Sequence, residues 1–268
     1  MATAVITPLS RKKVREICRR DSLGTPGGIG ESIRGNFSSG LDGQVLELLL
    51  DGPGKLRYEF LPGGRLRWSG ARRSGEEAAQ ILSLSSRPGL YLINHLRLET
   101  FPLENITLIL DLETDLCTLI LARLGGALRP RDVERTIHFG CILRNGHITE
   151  KRHGYSDELV RRIVDWHYDR RNEFTVKHLY ISPEHMVYYL FRSPGPDRGL
   201  VETAECAYVK VREGVYIMSW LEKGHQGMQG VALMDMETMT DVGSFFGISI
   251  KDTLDNYTFA AFGEDSTL

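Results

Sequence analysis

The sequence predicts an all-β protein of two tandem antiparallel β-barrels behind a short N-terminal helix, on three observations. From residue 41 onward, short runs rich in Val, Ile, Leu, Tyr and Trp alternate with Gly, Pro, Asn and Asp, and helical spacing is confined to the first residues. The strand candidates fall into two series whose landmarks recur about 125 positions apart, as a duplicated β unit would place them. Each series has the size of a small barrel domain, and closing a sheet removes the edges that so many strands would otherwise expose.

Composition bounds the function. The chain has 268 residues, 41% hydrophobic and 25% charged, which is ordinary for a globular protein. A net charge of −2 gives no electrostatic case for nucleic acid or an anionic membrane surface. No apolar run reaches the ~20 residues of a membrane helix. The first 20 residues are polar and basic, without the apolar segment of a secretory signal. Cys18, Cys117, Cys141 and Cys206 are scattered, with no CxxC pair for a zinc ribbon or a redox dithiol. Reduced thiols in a cytoplasmic protein are the expectation.

Three regions follow: an arm over 1–36, a first barrel over 37–150 and a second over 151–268. Residues 9–21 read as a helix, with Ser10 as cap and Val14, Ile17 and Cys18 on one side. Gly24-Thr25-Pro26-Gly27-Gly28-Ile29-Gly30 is glycine-rich, but no strand precedes it and no Gly-Lys-Ser/Thr closes it. It reads as a flexible arm or lid, and the arm either closes a barrel or mediates a homodimer. Strands of the first series are expected over 44–50, 56–61, 65–68, 79–84, 90–98, 106–112, 117–124 and 136–143. Those of the second are expected over 159–168, 174–181, 186–191, 204–211, 215–222, 227–234 and 240–246, with the tail 252–263 returning to the sheet.

The duplication can be read residue by residue. Gly89-Leu90-Tyr91-Leu92-Ile93 matches Gly214-Val215-Tyr216-Ile217-Met218, 125 positions later. Leu110-Asp111-Leu112-Glu113-Thr114 matches Met234-Asp235-Met236-Glu237-Thr238, 124 positions later. Phe60-Leu61-Pro62 and Trp68 lie opposite Tyr180-Ile181-Ser182 and Tyr188, near an offset of 120.

The candidate site centres on the strand 215–222. Alternation puts Tyr216, Met218, Trp220 and Glu222 on one face, a large apolar face ending in a carboxyl. Glu222 either ends the strand in solvent beside Lys223 or stands at the bottom of a ligand pocket. At the repeat offset, Trp220 falls opposite His95 and Glu222 opposite Arg97, so the polar end of the face changes chemistry between units. In an apolar barrel a carboxyl is harder to ionise, and a pKa near neutrality suits a general acid or base. His178 shares strand parity with Phe174, Val176 and Tyr180, as a hydrogen-bonded core His or a catalytic one. Tyr188 is preferred to Tyr189 as a lining residue because it aligns with Trp68. Trp166 is a further lining candidate. Arg192, at a strand end, either holds an anion at the mouth or is solvated. His147 and His153 lie in a polar linker and His178, His185 and His225 in separate elements, without HxH or HExxH spacing, so no metal is expected. No Gly-x-Ser-x-Gly elbow supports a serine hydrolase.

These residues carry a family resemblance. Lys177-His178-Leu179-Tyr180-Ile181-Ser182-Pro183, Tyr188, the strand 214–222, Met234-Asp235-Met236-Glu237-Thr238-Met239 and Gly243-Ser244-Phe245-Phe246-Gly247 resemble the molybdenum-cofactor-biosynthesis protein F (MoaF) family. The segment from Leu41-Asp42-Gly43 through Trp68, with the strand ending at Thr114, resembles its N-terminal half. The resemblance covers roughly residues 40–250 and implies a lipocalin-like, or calycin-like, architecture. The strand ending at Glu222 is also similar to one in phenolic acid decarboxylases, where the Glu after Trp-x is the acid/base; the carry-over lands on Glu222 alone. The paired tyrosines of those enzymes are not in place in Arg162-Ile163-Val164-Asp165-Trp166-His167-Tyr168, so decarboxylation of a hydroxycinnamate is not implied. The expectation is a small apolar or aromatic ligand in the second barrel, without cofactor. Glu222 would act as acid/base with His178 or Tyr180 polarising the substrate, among Trp220, Tyr188, Met218, Tyr216, Trp166 and Arg192. Isomerisation, cyclisation or a lyase step is the reaction range; a carrier or sensor without chemistry is the rival.

Overall fold

The computed structural model of the protein describes residues 8–21, 28–29, 36–144, 146–169, 174–193, 198–222 and 227–267. Near its start Ser10 caps helix α1 (Arg11–Arg20), its hydroxyl accepting from Lys13 N at 3.2 Å. Arg19 and Arg20 sit in the last turn, where cations suit the helix dipole. Val14, Ile17 and Cys18 are the buried stripe. They pack against Leu103 and Leu124 of one barrel and Leu221 and Phe246 of the other, so α1 bridges both. The glycine-rich stretch lies mostly outside the described residues. Its Gly28–Ile29 form β1, which pairs parallel with Thr258 and Phe259.

The first barrel is closed by eight antiparallel strands: β2 (Val45–Leu50), β3 (Gly54–Leu61), β4 (Arg65–Gly70), β5 (Ser74–Ser83), β6 (Leu90–Arg97), β7 (Leu103–Asp111), β8 (Leu116–Leu124) and β9 (Val133–Leu143). A two-residue strand, β10 (Gly154–Tyr155), leads into the second barrel by pairing with Val209 and Lys210. That barrel comprises β11 (Ile163–Asp169), β12 (Phe174–Ser182), β13 (His185–Arg192), β14 (Val201–Arg212), β15 (Val215–Glu222), β16 (Met228–Asp235), β17 (Thr240–Ile248) and β18 (Leu254–Asp265). It closes because β18 pairs with both β17 and β11. The two sets of eight correspond strand for strand in chain order, as a duplicated barrel requires.

One expected strand starts late. Residues 159–162 turn rather than extend: Val160 N bonds Asp157 O and Arg161 takes a φ of 78°. The strand therefore begins at Ile163. In the opposite sense, β5 starts at Ser74 rather than residue 79, because its polar outer half still pairs with β4.

Each barrel has its own core inside. Tyr58, Phe60, Leu66, Ile106 and Leu108 fill the first, and Trp166, Tyr180, Tyr208, Met218 and Met234 belong to the second. A third core lies between the barrels, where Leu90, Leu92, Ile109 and Ile120 meet Val215, Ile217, Val231 and Leu233. This explains the strands that read as continuous apolar runs. Every residue of β7, β15 and β16 is buried, because one face looks into a barrel and the other onto the neighbouring barrel.

Candidate functional site

Alternation along β15 directs Met218, Trp220 and Glu222 inward, while Ile217 enters the inter-barrel core. Glu222 is thereby buried, 8% exposed, at the end where β15 meets Met228. Trp220 Nε1 donates to Glu222 Oε1 at 3.1 Å. Burial pushes the Glu222 carboxyl up to about 7; the indole hydrogen bond opposes this and the Glu202 charge adds to it.

The neighbouring strands complete this end. His178 on β12 stands edge-on to Trp220, ring centroids 6.2 Å apart. Burial lowers its pKa to about 3, so the imidazole is neutral, and its Nδ1 has no hydrogen-bond partner. Tyr188, paired with His178 across β12 and β13, donates to Glu202 Oε2 at 2.5 Å. Phe245 packs edge-on to Trp220 at 5.2 Å. The Trp220 ring lies flat on the wall because Gly230, its partner on β16, has no Cβ; one built there would stand 2.2 Å from the indole.

Deeper in the barrel, Trp166 Nε1 donates to Tyr180 OH at 3.1 Å, and that hydroxyl faces Met234 Sδ at 3.8 Å. Tyr180 is thus committed to a packed network. Met218 is fully buried between Tyr208 and Ala232. Tyr216 shares the face but lies six positions from Glu222, with its hydroxyl bonded to Glu158 at the opposite end. Arg192 is exposed at the end of β13, over the Phe191 ring. The structure therefore gathers Glu222, Trp220, His178 and Tyr188, sets Tyr180, Trp166 and Met218 below them, and leaves Tyr216 and Arg192 at the margins. Lys223 and His225 lie outside the described residues.

Two acidic residues of this barrel were not among the candidates. Glu202 begins the inward series of β14 that continues through Ala204 and Cys206; extending the strand two residues back would have found it. Asp241 is 1% exposed, its Oδ1 has no partner, and burial raises its carboxyl to about 7 against a backbone bond from Ala261. Its inward parity with Phe245 was legible, but an Asp one residue after a turn reads as solvated. The closest groupings of His, Cys, Asp and Glu among the described residues form no metal centre.

Comparison with known proteins agrees with this architecture. The MoaF C-terminal domain matches residues 153–267, and the MoaF N-terminal domain matches residues 27–126. The chain belongs to the MoaF family. The C-terminal MoaF match takes in all eight strands of the second barrel, while the N-terminal match begins at residue 27, earlier than the motifs alone indicate, and covers β2 to β8 of the first, ending before β9. No curated protein matches the chain. Among solved structures, one from Burkholderia vietnamiensis, provisionally described as a beta-lactamase, is similar at 16% identity and a TM-score of 0.33, over 41% of this chain and 96% of its own. No helix among the described residues is long and apolar enough to cross a membrane.

Proposed function

We propose that the second barrel binds a small, largely apolar or aromatic molecule and that Glu222 exchanges a proton with it. The two-barrel MoaF architecture supports a barrel-fold small-molecule-binding protein. The observation that carries the chemical half is the Glu222 carboxyl itself, buried in an aromatic surround with a pKa near 7. Such a group is present in both protonation states at neutral pH, which is the condition for taking a proton at one substrate atom and returning it at another. Trp220 fixes one carboxyl oxygen. His178, neutral and with a bare Nδ1, is suited to hydrogen-bond a substrate oxygen. Tyr180 acts as a positioning residue through His178, whose ring it meets edge-on with centroids 6.1 Å apart. The reaction class this supports is a cofactor-free isomerisation, cyclisation or lyase step. The rival reading is a carrier that uses Glu222 only to anchor a ligand donor.

The test is a thermal-shift screen of small aromatic and enone-containing compounds, followed by NMR of each hit with protein. An enzyme converts a hit with the native chain, and Glu222→Gln abolishes conversion while the compound still binds. A carrier leaves every hit unchanged, with Glu222→Gln altering affinity alone. Hits that bind equally well to Glu222→Gln and Trp220→Phe would place the ligand elsewhere.

A further inference from the structure

Two tyrosines of the second barrel stand near Glu222 with their hydroxyls unused. Tyr168 ends the inward series Val164, Trp166, Tyr168 of β11, and its ring meets Phe259 edge-on with centroids 5.4 Å apart. Tyr257 is the register partner of Phe245 across β17 and β18, with ring centroids 5.4 Å apart. Trp220 joins both, standing 5.2 Å from Phe245 and 6.3 Å from Phe259. One aromatic wall therefore carries Tyr168, Tyr257 and the indole that holds Glu222. The fold does not call for the Tyr168 hydroxyl: β2, which corresponds to β11, puts Leu46, Leu48 and Leu50 inside its barrel.

Neither hydroxyl bonds a described residue, and neither is sealed off: Tyr168 keeps 6% of its surface accessible, and Tyr257 is half-buried. Glu222 is in the same condition on one side. The indole N–H of Trp220 occupies Oε1, and no described residue bonds Oε2. Burial raises both phenols above their ordinary range; Asp241, Tyr180, Glu222 and Tyr257 add to this at Tyr168, and Glu222 and Asp255 at Tyr257. Each phenol thus lies within the field of the Glu222 carboxylate, and Tyr168 within that of Tyr257. Both keep their protons where Glu222 titrates. This end of the barrel therefore holds two donors without an acceptor, beside one free carboxyl oxygen.

We propose that Tyr168 and Tyr257 are the oxyanion donors of the second barrel, and that the molecule it takes is an enolisable aromatic ketone. This rests on the reading of Glu222 as a proton carrier. The ketone oxygen accepts from the two hydroxyls, and its α-carbon faces Glu222 Oε2. The carboxylate takes a proton from that carbon. The electron pair of the broken C–H bond forms the carbon–carbon double bond of an enolate, and the carbonyl π pair moves onto oxygen, where the two hydroxyls hold the charge. Returning the proton to the α-carbon restores the ketone; returning it to the γ-carbon of an unsaturated ketone shifts the double bond. Atoms and electrons balance within the substrate and Glu222.

Acetophenone tests this, because its α-hydrogens exchange with heavy water through the enolate. With the full chain at neutral pH, proton NMR should show the methyl signal fading faster than in buffer alone, and Glu222→Gln should abolish the gain. Tyr168→Phe and Tyr257→Phe keep the ring and drop the hydroxyl. Each should slow exchange about a hundredfold while changing acetophenone affinity far less. A readout that a packing role would not move is the carbonyl resonance of carbon-13-labelled acetophenone. It should move downfield on binding to the native chain, and each Phe variant should take part of that shift away. Exchange that needs Glu222 but is indifferent to both Phe variants overturns the proposal and leaves Glu222 as the base. Exchange indifferent to Glu222→Gln overturns both. Absence of binding, or a bound ketone with an unmoved carbonyl resonance, overturns the ketone class and leaves the acid to other ligands.

Discussion

Arg212 of the second barrel grips Asp111 of the first, its Nε donating to Oδ2 at 2.7 Å, and Arg87 of the first grips Asp235 of the second in the same way at 2.8 Å. Arg212 stands 125 positions after Arg87, and Asp235 stands 124 after Asp111. Each repeat therefore lends its arginine to the other's aspartate, as an isologous dimer does between subunits. Glu113 and Glu237 repeat the exchange at the rim.

Removing one arginine should be costly. Asp111 and Asp235 are fully buried, so Arg212→Ala or Arg87→Ala leaves a carboxylate without its counter-charge. The expected loss is roughly 3 kcal/mol for each, read as a lower urea midpoint. Lys should rescue poorly, because it cannot donate in the bidentate manner of a guanidinium. A loss within the range of an exposed pair, below about 1 kcal/mol, would contradict the burial on which the argument rests.

The same pairs set the acid limb of stability. Burial pushes the Asp111 carboxyl up, but Arg212 and Thr114 outweigh it and hold it below the usual range. Burial likewise raises Asp235, and Arg87, Ser86 and the turn amides pull it further down. A folded pKa below the unfolded one gives stability that is complete above about pH 4 and lost as pH falls through the folded values. Urea midpoints from pH 6 to pH 2 should fall steeply for the native chain and less steeply for the Arg87→Ala, Arg212→Ala double variant.

These contacts also mark how far the sequence could be read. The repeat was legible because Leu-Asp-Leu-Glu-Thr and Met-Asp-Met-Glu-Thr survive as turn motifs, their aspartates accepting from the amides two and three residues on. The partner arginines were not, because a salt bridge between barrels leaves no local spacing. Strand alternation was enough to put Glu222 and Trp220 on one face. It could not tell a lumen from solvent, nor find Asp241, whose neighbours arrive from β11, β12 and β18.

Glu222 and Asp241 should shape stability between the acid limb and neutrality. Both carboxyls are raised to about 7 by burial, above their unfolded values of roughly 4. The folded state then holds more protons than the unfolded one between about pH 4 and pH 7, so stability declines as pH rises through that window. Glu222→Gln and Asp241→Asn remove a group that ionises at a cost. Each variant should gain on the native chain from pH 5 to pH 8, and thermal melts at the two pH values would measure it. A difference independent of pH would mean that the carboxyls titrate as exposed ones do.

The placement of Trp220 makes the last prediction. Its indole occupies the space a side chain on Gly230 would need, and its N–H then points along β15 to Glu222. Gly230→Ala adds one methyl group beneath the ring. The indole must lift into the barrel, which costs about 1–3 kcal/mol as overpacking. The lift also breaks the hydrogen bond that opposes the burial of the Glu222 charge. The carboxyl pKa should therefore rise further above 7 in the variant. Carbon-13 NMR of labelled glutamate would follow it, and Trp220 fluorescence would report the moved ring. Both signals should change together, since one displacement causes both. A shifted fluorescence with an unmoved Glu222 titration would separate the indole from the acid and remove Trp220 from the site's proton chemistry.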